Sequence, residues 1–194
     1  MGKYRLLNIL ELRNGNIDIS NFNCIPSNTE HTQKELNDFE MINDFVKNKD
    51  KALKYAENNI YKTFLLLDNQ DDKVMGFYSL CTGSKVFYKR FKAEKGVPTI
   101  GRNKALPTID IMWLAVDVHY QEKNIGSMLL KKICASVYDT SKTIGVCVLT
   151  VDSLFQSQKF YEKFGFMDLG SPHKKNEDLW LGLTIPEIEV FLRN

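Results

Sequence analysis

Residues 108–167, TIDIMWLAVDVHYQEKNIGSMLLKKICASVYDTSKTIGVCVLTVDSLFQSQKFYEKFGFM, leave this chain few ways to fold. The apolar run from Ile109 to Val118 is short and rich in branched residues, which suits a buried strand. The turn QEKNIGS follows it, and then MLLKKICASVY, where Met128, Leu129, Ile133 and Val137 recur at helical spacing. A helix from about Asn124 to Thr140 has the length that a crossover between parallel strands requires, so the next apolar run, Gly145 to Val151, is expected beside the first. A helix from Phe155 to Phe164 then carries Tyr161, and FGFM leads back into a strand. Two parallel strands and two helices are therefore expected to build one site.

The chemistry of the turn follows from its backbone. Asn124, Ile125, Gly126 and Ser127 open a helix, and the first N–H groups of a helix have no partner inside it. With the positive end of the helix dipole, they favour a phosphate or pyrophosphate. Gly126 lets the backbone approach a ligand without a Cβ, and Asn124 is among the few residues besides glycine that tolerate a left-handed conformation. By itself such a turn is equally consistent with an ordinary first helical turn.

Length and charge narrow the class. A chain of 194 residues, 43% hydrophobic with a net charge of +2, fills one sizeable core, and one domain over residues 1–194 is expected. No apolar window is long enough for a membrane span, and MGKYRLLNILELRNGN resembles no signal peptide, so a cytoplasmic protein is expected. Cys24, Cys81, Cys134 and Cys147 form no CxxC pair, and His31, His119 and His173 lack metal-ligand spacing. Free thiols and no structural metal are expected.

Upstream, Tyr4 to Leu12 is apolar and is followed by Asn14-Gly15, which predicts a first strand turning back toward Ile17 to Phe22. Cys24 to Gln33 reads as loop. From Lys34 to Asn59 apolar residues repeat at three- and four-residue intervals, predicting one or two amphipathic helices broken near Asn48 to Lys51. Ile60 to Asp68 and Lys73 to Gly83 read as an antiparallel hairpin. Ser84 to Pro107 is a long connection holding Lys85, Lys89, Arg90, Lys92, Lys95, Arg102 and Lys104 against one acid, Glu94. It is either a solvated surface loop or an acceptor-side lid that attracts a polyanion. A loop from Leu169 to Asn176, a strand from Asp178 to Leu183 and a helix from Ile185 to Leu192, started by Pro186, complete the chain.

QEKNIG resembles the coenzyme A pyrophosphate loop of the GNAT acetyltransferase superfamily, QxxGxG/A or RxxGxG/A, and LAVD and FYEKFGF stand where that family has them. The resemblance spans about Tyr61 to Met167. Asn124 stands where the first glycine is usual, and Leu154 where many members have an asparagine beside the pantetheine arm. The resemblance implies a mixed α/β fold: a central, mostly antiparallel sheet with a parallel pair at the cofactor site, flanked by helices. It also implies acetyl-CoA as co-substrate. Leu114, Ala115, Val116 and Val118 would meet it at the strand end, and Gln121, Glu122, Lys123, Asn124, Ile125, Gly126 and Ser127 in the turn.

Acetyl transfer to an amine needs a held thioester, a neutral amine and a proton for the departing thiolate. In the family the tyrosine at the place of Tyr161 supplies that proton, the alternative being an aromatic anchor for its helix. For the base, Asp110 lies on the apolar strand at even spacing from Met112, Leu114 and Val116, and either reaches the amine or makes a structural hydrogen bond. A weak base suffices for an α-amine of pKa roughly 7.7 to 8.0, or less when its carboxylate is esterified, whereas lysine at roughly 10.4 needs a better one. The combination of FNC, NDFV, GFYSLCTGS, LAVD and FYEKFGF is similar to the GNAT toxins of toxin and antitoxin pairs, which acetylate the amino group of aminoacyl-tRNA. That implies an antitoxin protein as partner, and dimers are common in the family. The alternatives are a small-molecule or protein amine acetyltransferase and a non-catalytic acyl-CoA-binding regulatory module.

Overall fold

The structure, a computed structural model, describes residues 3–14, 17–27, 30–98, 105–170 and 178–193. In chain order its elements begin with β1 (Tyr4–Asn8), α1 (Gln33–Lys47), α2 (Lys54–Glu57), β2 (Lys62–Asp68) and β3 (Val74–Lys85). They continue with α3 (Lys89–Lys95), β4 (Leu106–Val116), α4 (Ile125–Ser141), β5 (Val148–Ser153), α5 (Gln158–Glu162), β6 (Met167–Asp168), β7 (Leu179–Thr184) and α6 (Ile185–Arg193). The strands run in the order β1-β2-β3-β4-β5-β7-β6, giving the expected mixed α/β sheet with one parallel pair, β4 and β5. The chain divides into two compact units, Met1–Cys81 with Met112–Leu130, and Thr82–Ile111 with Lys131–Asn194.

In the first unit β1, β2 and β3 form an antiparallel meander, with Tyr4 opposite Asp68 and Leu65 opposite Phe77. The helix α1 starts at a capping box, in which Thr32 Oγ1 accepts from the Glu35 N–H and the Thr32 N–H donates to Glu35 Oε2 at 2.8 Å. It stops at Asn48, and a π-helical turn over Lys49–Leu53 leads into α2, so the predicted break is present. Its buried face, Ile42, Phe45 and Val46, is aromatic at the centre: the Phe45 ring stacks on Trp113 at 4.8 Å and on Phe77 at 6.2 Å. Gly76 permits the closest approach here, since a Cβ would lie 2.7 Å from the Ala115 carbonyl oxygen and 2.9 Å from Leu129 Cδ1.

Among the described residues the expected N-terminal hairpin is absent. Asn8 ends β1 because its side chain accepts from the Leu10 N–H and its own N–H donates to Glu11, both at 3.0 Å, which starts a 3-10 helix over Ile9–Asn14. β1 pairs with β2, and Ile17 to Phe22 forms no strand. Instead, local bonds turn this segment, Ser20 N–H to Asp18 and Phe22 N–H to the Ile19 carbonyl, and Phe22 packs edge-on against Phe77. Gly15, half of the predicted turn, lies outside the described residues.

In the second unit β4 and β5 pair in parallel from Thr108 opposite Val148 to Ile111 opposite Val151, and β5 pairs antiparallel with β7. The predicted long connection is different from expectation. It extends β3 to Lys85 and then forms α3, ended by Gly96 at φ 64°. Phe91 anchors this helix by burial with Phe87, Val97, Leu106, Val148 and Leu169. Arg102 and Lys104 lie outside the described residues, as do 171–177 of the loop after β6. Phe155–Ser157 is a 3-10 turn that precedes α5, so the helix there is shorter than expected. Among the described residues no helix is long and apolar enough to cross a membrane.

Candidate active site

The turn after β4 is built entirely within the first unit. Asp117, 5% exposed, ends the strand and caps the short 3-10 turn Val118–Tyr120 by accepting from the His119 N–H at 3.0 Å. Its other oxygen accepts from the Asn23 N–H at 2.9 Å, and the Val118 N–H donates to the Asn23 carbonyl at 2.7 Å. A contact from Val118 to a pantetheine arm would therefore run through its carbonyl. Asn43 Nδ2 donates to Asn23 Oδ1, and Asn43 Oδ1 accepts from the Cys24 N–H, so the FNC and NDFV segments meet at the strand end. Gln121 closes the arrangement by donating Nε2 to the carbonyls of Cys24 and Val116. Its side chain is thus a brace for the turn.

Glu122 and Asn124 both have φ of 60°, the left-handed conformation anticipated for Asn124 alone. This double reversal brings the chain into α4, whose first turn is closed by the Met128 N–H to the Asn124 carbonyl at 3.0 Å. The N–H groups of Ile125, Gly126 and Ser127 are left at the start of a 17-residue helix, facing its positive end. Such a cradle suits the pyrophosphate of coenzyme A. Lys123 bends back, its Nζ donating to the His119 carbonyl at 2.8 Å. Leu114 and Ala115 precede Val116 on β4, with Ala115 buried.

Two side chains of the second unit carry the proposed proton chemistry. Asp110 sits on β4, its Oδ1 accepting from the hydroxyls of Thr108 at 2.7 Å and of Thr150 on β5. Its Oδ2 faces the Lys85 ammonium at 3.2 Å, with the two side chains only 14% and 21% exposed. Tyr161, on α5, is 5% exposed, its ring set against Phe160 at 5.1 Å and Phe166 at 5.4 Å. Burial pushes its phenol well above the usual value, so the proton stays on through the physiological range. The groups around Asp110 were not singled out from sequence. Lys85 stood in a count of basic residues, and the only local signal was the i, i+2 pair Thr108 and Asp110 sharing one strand face.

Known proteins agree with this architecture. Residues 59–168 match the family model described as an acetyltransferase (GNAT) domain. Among solved structures, a tyrosine-to-phenylalanine mutant of KacT superposes with a TM-score of 0.75 at 21% identity, covering 97% of this chain and 99% of that one. AtaT complexed with acetyl-methionyl-tRNAfMet superposes with a TM-score of 0.74 at 20% identity over 96% and 98% of the two chains. A mutant AtaT toxin bound to the C-terminus of the antitoxin AtaR gives 0.71 at 19% identity over 100% of both. With the family model covering more than half of its residues, this chain belongs to the GNAT superfamily and is an N-acetyltransferase that takes acetyl-CoA as co-substrate.

Proposed function

We propose that the protein acetylates the α-amino group of an aminoacyl-tRNA by direct attack, in the manner of a toxin held in check by an antitoxin. The observation that carries this reading is the similarity over nearly the whole chain to AtaT in complex with acetyl-methionyl-tRNAfMet. The acceptor's chemistry agrees with it: an α-amine, of pKa roughly 7.7 to 8.0 or less when its carboxylate is esterified, asks less of a base than a lysine side chain at roughly 10.4.

In this reading the first turn of α4 and the end of β4 hold the thioester, which supplies the acetyl group. The amine forms a bond to the carbonyl carbon as the carbon–sulfur bond breaks. Asp110 takes the proton from the attacking nitrogen, directly or through water, and Tyr161 gives its phenolic proton to the leaving sulfur. Solvent returns the proton to Tyr161 and removes the one on Asp110, so the products are the amide and free coenzyme A.

One finding favours a smaller acceptor. Of the basic residues between Ser84 and Pro107, Lys85 pairs with Asp110, Arg90 with Glu94 and Lys95 with Glu187, which leaves less charge for phosphates than the sequence promised. Incubation of the purified protein with acetyl-CoA and three acceptors separates the cases: charged tRNA, methionine methyl ester and a lysine-containing peptide. The tRNA reading expects turnover on charged tRNA that exceeds the other two and weakens with salt. Efficient turnover of the ester or peptide with charged tRNA untouched would overturn it and leave the acetyltransferase in place.

A further inference from the structure

The Asp110 carboxylate is held by several parts of the second unit. An added Cβ on Gly83 would lie 2.4 Å from Asp110 Oδ2 and 2.6 Å from Thr108 Oγ1, so the carboxylate fills the space a side chain at that position would need. Lys85 follows two residues later on the same face of β3 and meets Oδ2 at 3.2 Å. The ammonium has a second contact as well, lying over the Trp180 ring on β7 at 5.2 Å from its centre. Four strands thus contribute to one carboxylate: β3 through Gly83 and Lys85, β4 through Thr108, β5 through Thr150, and β7 through Trp180.

A carboxylate oxygen has two lone-pair sites. The hydroxyls of Thr108 and Thr150 fill those of Oδ1, and Lys85 takes one on Oδ2. A single acceptor site, the remaining lone pair of Oδ2, is left to meet an incoming N–H. We propose that Lys85 is a positioning residue of the acetyl transfer, setting which oxygen and which lone pair of Asp110 faces the acceptor amine. This rests on Asp110 being the base. Trp180 makes the placement specific, because its ring gives the ammonium a second contact, where a freely hydrated lysine would range over the surface.

The test uses the full chain with acetyl-CoA and whichever of charged tRNA, methionine methyl ester or lysine peptide it turns over fastest. Lys85→Met is expected to lower kcat about tenfold or more while KM for acetyl-CoA stays put, and Lys85→Arg, which can both pair with the carboxylate and stack on Trp180, is expected to recover most of the loss. Asp110→Asn is expected to lose on the order of 10² in kcat or more, and adding Lys85→Met to it should cost nothing further, since both act through one carboxylate. If Lys85→Met fails to fold, Lys85→Gln takes its place in every arm. Full kcat in Lys85→Met beside a crippled Asp110→Asn overturns the role of Lys85 and leaves that of Asp110. Full kcat in Asp110→Asn overturns both.

Discussion

Gln121 Nε2 donates to the Val116 carbonyl at 3.1 Å and to the Cys24 carbonyl at 2.9 Å. One amide thereby ties the turn to the end of β4 and to a segment 97 residues earlier in the chain. Gln121→Glu keeps the shape but sets an acceptor-only group against two carbonyl oxygens. We expect a stability loss of about 1 kcal/mol, because two part-buried carbonyls lose their donor. At this chain length that lowers Tm by roughly 2 to 4 °C per kcal/mol. Acetyl-CoA binding should weaken with it, since the turn loses its brace. Calorimetry and thermal unfolding indistinguishable from the parent protein would show that the brace is dispensable.

Asn124 provides a cleaner probe of the turn, because its strain is local. At φ 60° an alanine meets the left-handed penalty of roughly 1 to 2 kcal/mol, whereas glycine does not. Asn124→Ala should therefore be less stable and bind acetyl-CoA more weakly, and Asn124→Gly should match or exceed the parent in both. Equal behaviour of the two variants in urea unfolding would mean that the conformation at this residue is not what holds the turn.

The contrast between these two residues shows what a sequence makes legible. The left-handed conformation at Asn124 depends on the residue itself and its helix start, so local chemistry exposed it. The role of Gln121 depends on where Cys24 comes to lie, and no local pattern carries that. The same division runs through the fold. β4, α4 and β5 were legible because a branched apolar run, a helical repeat and a second run allow only a parallel crossover. The N-terminal hairpin misled because Asn14-Gly15 is a strong turn signal, while the capping exchange between Asn8 and Glu11 that ends β1 earlier is a three-residue side-chain effect. In the connection after β3, the lysines and glycines masked two aromatic anchors, Phe87 and Phe91, whose partners Val148 and Leu169 are distant in sequence.

Burial is expected to make stability fall at alkaline pH. It pushes the thiols of Cys24 and Cys134 up from 9.0 to about 12, and the phenol of Tyr78 up from 10.0 to about 12. In the unfolded chain these groups lose protons near their ordinary values while the folded protein retains them. The unfolded state therefore binds fewer protons, and stability falls as pH rises, starting near the unfolded thiol pKa and continuing to the folded values. Each group contributes a slope of about 1.4 kcal/mol per pH unit in its window. Urea unfolding between pH 8 and 11 should show this decline. Cys134→Ala, at a site of 0% exposure, should be less stable at neutral pH yet lose less on going alkaline. A slope unaltered by the substitution would mean that the thiol ionises as readily folded as unfolded.

Tyr161 is packed by its ring and proposed to act through its hydroxyl, and one variant separates the two. The ring is held by Phe160 and Phe166, contacts that Tyr161→Phe retains, while the hydroxyl alone is lost. If the phenol protonates the leaving sulfur, kcat should fall by something on the order of 10² to 10⁴, with the KM for acetyl-CoA nearly unchanged. Because burial raises this phenol above its ordinary value, Tyr161 remains protonated past the point where free tyrosine ionises, and any fall in rate below about pH 10 must come from another group. The same shift gives a second, independent signature. A phenol with a raised folded pKa stabilises the protein fully below its unfolded pKa, and that stabilisation is lost as pH rises through the folded value. Tyr161→Phe should accordingly reduce the steepness of the stability decline above about pH 10. Loss of the alkaline slope with turnover intact would leave Tyr161 as a buried anchor of α5 and send the search for the proton donor elsewhere.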